Sequence, residues 1–131
     1  MLGNFQQSQL RIEVEATAPI IRDSLIKIPQ LRQWLAPLPL GEGLPERLAP
    51  DVILHTGIGY AKLTQTVDRV GEDHLRLLLS GAIDGFHEWY WGDGWIQSRL
   101  EGISPLPLNL GQTLSLLKLR QFVTSVRSPA V

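Results

Sequence analysis

The chain has 131 residues, of which 19% are charged and 44% hydrophobic, with a formal net charge of −1 and no cysteine. That length suits one domain over 1–131, able to hide roughly two thirds of its extended surface on folding without a staple. The missing thiols exclude a disulfide framework, a thiolate zinc site and a cysteine nucleophile, and the near-zero charge gives no general pull toward nucleic acid. The first residues lack the basic and apolar segments of a secretion signal, and no apolar run approaches the ~20 residues that span a bilayer. A soluble, cytoplasmic protein is the expectation, with apolar surface to spare for a ligand or for a second subunit in a homo-oligomer.

Residues 9–16 alternate, with Leu10, Ile12 and Val14 on one face and Arg11, Glu13 and Glu15 on the other, which predicts a first strand wetted on one side. Thr17 can cap a helix with Pro19 in its first turn, and Ile20, Ile21, Leu25 and Ile28 recur at helical spacing until Pro29 ends or kinks it. A second short helix is expected over 30–35, carrying Leu31, Trp34 and Leu35, before Pro37 and Pro39 stop it. From 37 to 50 the chain is rich in Pro and Gly, with strand-like hints only at 46–48 and at Val52, Ile53 and Leu54.

Beyond residue 59, Ala61, Leu63, Gln65 and Val67 share one face, and after Gly71 and Glu72 the residues Leu75, Leu77, Leu79 and Ile83 share the next, the pattern of a hairpin. Asp84 and Gly85 are expected to turn the chain into a strand over 86–91. Gly92, Asp93 and Gly94 turn it back into a strand over 95–104, which ends at Pro105 and Pro107. The tail then reads as a long helix. Asn109 with Gln112 resembles a capping box, Ser104 with Pro105 being an alternative start. Leu116, Leu119, Phe122, Val123 and Val126 make one apolar stripe, and Leu110, Leu114 and Leu117 fall nearly opposite, so the helix needs cover on two sides.

Three of the four tryptophans lie within 86–95. With Asp93 and Gly94 as a two-residue turn, Glu88 falls opposite Arg99 on one face, and His87, Trp89 and Trp91 share the other with Ile96, Ser98 and Leu100; a turn at Gly92 and Asp93 would change the partners across the hairpin but not the alternation within each strand. The second face is the more apolar and is assigned inward, as an aromatic wall with one polar handle. Large aromatics fill cores more often than they line pockets, and plain packing is the competing role. His87 has the intrinsic pKa of a general base, although a lone His on an apolar face is more often a hydrogen-bonded structural residue. Gln65, polar among apolar neighbours, needs partners if it is buried. His55, His74 and His87 have no metal-site spacing. Gly57, Ile58 and Gly59 lack the third glycine of a dinucleotide fingerprint, and the serines lack a hydrolase context. No catalytic residue, metal or cofactor is assigned.

The order of elements carries a resemblance. Ile12, Glu13 and Val14 running into Ala18 and Pro19, then Leu31 to Trp34 and Leu35, then the closing helix from Leu114 to Val123, resemble the START-like superfamily, also called SRPBCC or polyketide-cyclase-like. The stretch 84–95 is similar to uncharacterised bacterial, cyanobacterial-like members. The resemblance implies an α+β helix-grip fold, a curved antiparallel sheet wrapped around a long C-terminal helix with two short N-terminal helices after the first strand. It also implies an apolar pocket between sheet and helix and a hydrophobic or amphipathic small molecule, lipid- or polyketide-like, as partner. The residues expected to bind it are Gln65, Leu79, His87, Trp89, Trp91 and Leu117. An enzyme of cyclase or dehydratase type on the same fold, and a protein-interaction domain, are the alternatives.

Overall fold

The computed structural model describes residues 3–58 and 61–127. Gly59 of the incomplete glycine pattern lies outside them. Strand β1 (Asn4–Glu13) is followed by helices α1 (Ala18–Ile26) and α2 (Ile28–Leu35). Strands β2 (Ile53–Ile58), β3 (Ala61–Val70), β4 (His74–Gly81), β5 (Asp84–Gly92) and β6 (Trp95–Ser104) come next, and helix α3 (Leu108–Arg127) closes the order. All strands pair antiparallel in one six-stranded sheet, in the order β1-β6-β5-β4-β3-β2. The link from β1 to β2 must therefore cross from one edge to the other, and α1 and α2 lie in that crossing. α3 packs on the same face, against β1, β6, α1 and α2. This is the helix-grip arrangement.

β1 begins earlier than the alternation suggests, because its polar N-terminal half pairs with β6 all the way from Asn4 opposite Ser104 to Glu13 opposite Trp95. Gln6, in that half, donates to the carbonyls of Ser104 and Leu106 and accepts the Leu108 N–H at 3.1 Å. The start of α3 is thus held by a side chain from β1, not by a box of Asn109 and Gln112; Ser104 contributes by accepting the Leu106 N–H at 3.0 Å. Thr17 does stand at the N-cap of α1, but its side chain makes no cap bond. The Ala18 N–H is taken by Asp93 Oδ1 at 2.7 Å, from the β5–β6 turn. The Pro-rich stretch is anchored where residues 46–48 meet the helix junction. Ile28 N–H donates to Glu46 O and Leu48 N–H to Ile26 O, a one-residue bridge between Lys27 and Arg47.

The turn expected at Asp84 and Gly85 falls earlier. Gly81 takes φ +95°, a left-handed value open to glycine, and its N–H donates to Asp84 Oδ1. Gly85 is already inside β5, where a Cβ would collide with the backbone of Glu101. Asp93 and Gly94 make the next turn with Gly92 opposite Trp95, which sets Glu88 opposite Arg99.

Side-chain parity follows the alternation. Val14, Leu75, Leu77, Leu79 and Leu100 are buried, Leu10 and Ile12 partly so, and Arg11, Glu13 and Arg99 are exposed. Arg76 points outward but is partly covered, because it pairs with Glu88 at 2.8 Å and Asp68 at 3.2 Å. Glu88 is also reached by Arg99 at 3.5 Å and by the Tyr90 hydroxyl at 3.2 Å. Arg76 lies over the Phe86 ring at 4.3 Å, so the outer face of β4–β6 is a polar ladder laid on one aromatic. On α3, Leu116, Leu119 and Val123 are fully buried, whereas Leu110, Leu114 and Leu117 are 57%, 55% and 50% exposed. The second apolar side of α3 is therefore uncovered, and Val126 of the first stripe is exposed with it.

Candidate ligand cavity

Between the inner face of the sheet and the helices lies a cavity of about 390 Å³. Leucines 63, 75, 77, 79 and 100 pave its sheet side, Leu54 and Thr56 extend it onto β2, and Leu25, Leu31 and Trp34 descend from α1 and α2. The first turns of α3 close it with Leu108, Gly111, Gln112 and Ser115. Leu38, Leu110 and Leu114 line it and are also exposed, which marks the mouth between the end of α2 and the start of α3. Lys118 of α3 donates to Ala36 O at 3.0 Å and ties these two elements together. The lining is almost wholly apolar. Among the described residues it contains no Asp, Glu, Lys or Arg.

The aromatic strand behaves partly as its alternation predicts. His87 and Trp89 face the cavity, their rings 4.5 Å apart and tilted by 32°. Trp34 meets Trp89 edge-on at 6.5 Å, and its indole donates to Ser24 O at 2.8 Å, which holds the ring against the cavity wall. Trp91 has the inward parity but lies farther along β5. It is 2% exposed, donates to Glu72 O at 3.0 Å and is absent from the cavity wall. Trp95 is outside, beneath the Arg11 guanidinium at 4.2 Å.

Of the remaining expected binding residues, Gln65 and Leu79 line the cavity and Leu117 does not; it follows the mouth residues Leu110 and Leu114 along α3 and is half exposed. Gln65, partly buried, finds a partner in the buried Thr56, 3.4 Å from its Nε2, and Thr56 Oγ1 donates to Leu63 O at 3.3 Å. Trp34, Thr56 and Gln112 are among the wall residues that sequence reading missed. Gln112 could have been found as the one amide on an apolar helix face.

The polar end of the cavity is a chain of three side chains. His87 Nε2 lies 2.6 Å from Ser98 Oγ on the neighbouring strand, and Gln112 Nε2 lies 3.0 Å from the same oxygen. Ser98 and Gln112 are 0% and 2% exposed. Burial strips water from the imidazole and lowers the His87 pKa to about 3, so the ring is neutral near pH 7. The site can thus accept an apolar body and offer it a few uncharged hydrogen bonds.

No protein-family model matches the chain, and neither does any curated protein. Solved structures do resemble it. DynU16, a protein of the dynemicin biosynthetic locus, superposes with a TM-score of 0.67 at 14% identity over 92% of this chain. The match covers 48% of DynU16, so the chain spans about half the length of that relative. An uncharacterised protein of Rhizobium leguminosarum gives 0.65 at 13% identity, covering 98% of this chain and 100% of that one. Norcoclaurine synthase of Thalictrum flavum, in complex with dopamine and hydroxybenzaldehyde, gives 0.64 at 13% identity over 95% of this chain and 87% of its own. At such identities the likeness is one of fold. What they share with this chain is the helix-grip fold.

Proposed function

We propose that this protein binds an apolar or amphipathic small molecule between its sheet and α3. The observation that carries the reading is the cavity itself, about 390 Å³ of apolar wall with a mouth and an uncharged polar end. A space of this size exceeds the small voids of a well-packed core, where every void forfeits contact energy. Norcoclaurine synthase, solved with two small aromatic compounds, supports the reading as a protein of the same fold that holds such molecules. His87, neutral and against Trp89 in the wall, is what favours a cyclase- or dehydratase-type reaction as the second reading.

Titration with flat polycyclic and long-chain neutral compounds, read by tryptophan emission and by melting temperature, tests the binding. Trp89→Phe should diminish the emission change, and Trp95→Phe should leave it intact, since Trp95 lies outside. Leu79→Trp projects bulk into existing space and should abolish binding at a stability cost below the ~1 to 3 kcal/mol usual for overpacking. A broad panel that moves neither emission nor melting temperature would sink the reading.

A further inference from the structure

His87 and Ser98 are diagonal neighbours on the inner face, because His87 pairs with Leu100 and Ser98 with Trp89. Gln112 reaches them from α3. Its Nε2 lies 2.9 Å from Ser98 O and 3.2 Å from Ser8 O, besides 3.0 Å from Ser98 Oγ. Backbone carbonyls only accept, so the atom facing them is the amide NH2 and the group cannot be turned over. Its Oε1 is consequently left buried with no partner among the described residues, a costly arrangement that this orientation accounts for.

The two hydrogens of the Gln112 amide are shared among these three oxygens, and its nitrogen takes none from the Ser98 hydroxyl. The single hydroxyl hydrogen of Ser98 has His87 Nε2, at 2.6 Å, as its acceptor. A neutral imidazole that accepts at Nε2 carries its own hydrogen on Nδ1. In the opposite tautomer both neighbours of Ser98 Oγ would be donors and the hydroxyl hydrogen would point at nothing. No hydrogen-bond partner of His87 Nδ1 exists among the described residues, and the ring is only partly buried where it lines the cavity.

We propose that the buried Gln112–Ser98 pair sets His87 in its Nδ1–H form, so that the cavity presents a hydrogen-bond donor and selects apolar ligands bearing a neutral acceptor oxygen, such as an aryl ketone. This deepens the binding reading and rests on it. Charged head groups are disfavoured, since a carboxylate or ammonium would lose its water against a lining without a countercharge among the described residues. Facing the ligand with an N–H, His87 polarises a carbonyl instead of removing a proton.

The test uses the whole chain with 1-tetralone and tetralin, two bicyclic molecules that differ at one carbon by a carbonyl, and compares affinities by calorimetry. The ketone should bind about tenfold tighter, the worth of one buried hydrogen bond. His87→Phe should bring the ratio close to one, and Ser98→Ala should reduce it. Independently of any variant's folding, nitrogen-15 spectra of labelled histidine in the unaltered chain should show His87 protonated on Nδ1 and bare on Nε2 near neutral pH. Equal affinities for the two compounds would overturn the selectivity and leave binding standing. An Nε2-protonated spectrum would overturn the tautomer, and with it the inference. Failure of both compounds to bind up to their solubility would overturn the inference together with the reading beneath it.

Discussion

Protonation of His87 is resisted in the folded chain, where desolvation takes its pKa from 6.5 to about 3. In the unfolded chain the ring titrates near ~6.5, so between these two values the unfolded state binds the extra proton. The stability owed to this residue is complete above about pH 6.5 and is lost as the pH falls toward about 3, at no more than ~1.4 kcal/mol per pH unit. Urea denaturation between about pH 7 and pH 5 should record that slope, and His87→Phe should remove its share. Parallel slopes for the two proteins would show that His87 titrates normally. The alternation rule read the inward direction of His87 correctly, yet the same rule put Trp91 on the binding wall. Parity says which face a side chain takes, not how far along the strand the cavity runs. Trp91 lies past its end, bonded to Glu72 O at 3.0 Å.

At the level of elements, caps came from partners distant in sequence. Thr17 has the residue type and position of an N-cap, but Asp93, 75 residues away, takes the Ala18 N–H at 2.7 Å. A carboxylate there also meets the positive end of the α1 dipole. Asp93→Ala should cost about 1 kcal/mol, as cap removal usually does, whereas Thr17→Ala should cost a few tenths of that. Chemical denaturation of the two variants decides it; a larger loss for Thr17→Ala would contradict the assignment. Gln112 teaches the same lesson at the other end of the chain. Its spacing from Asn109 imitates a capping box, but its amide is spent on Ser8 and Ser98 across the interface with the sheet. Local pattern rules see neither partner.

For the whole molecule, α3 is what turns a one-sided sheet into a core. Leu116, Leu119 and Val123 are each at most 1% exposed, and burial of such side chains is worth roughly 1.5 to 3 kcal/mol apiece. A domain of this size is stable by only about 5 to 15 kcal/mol. A chain ending at Leu108 should therefore lose cooperative unfolding and its near-UV dichroism while retaining some strand signal. A sharp urea transition in that truncated chain would show that the sheet folds without its helix.

The identity of β1 and of β3 to β6, their inward parity, the two short helices and the long last one were legible in the sequence, whereas β2 was no more than a hint, because periods of two and 3.6 residues are written by local backbone geometry and by which face meets water. The pairing of Glu88 with Arg99 followed from a turn at Asp93 and Gly94, but a turn at Gly92 and Asp93 fitted the sequence as well, and the observed register chose between them. Tertiary structure alone decided that β1 pairs with β6, that the Pro-rich stretch docks on the α1–α2 junction, and that Gly81 rather than Gly85 makes the turn. It also decided the site. A cavity is the space that several elements fail to fill together, so its walls, Trp34 from α2, His87 from β5 and Gln112 from α3, are neighbours only after those elements have packed.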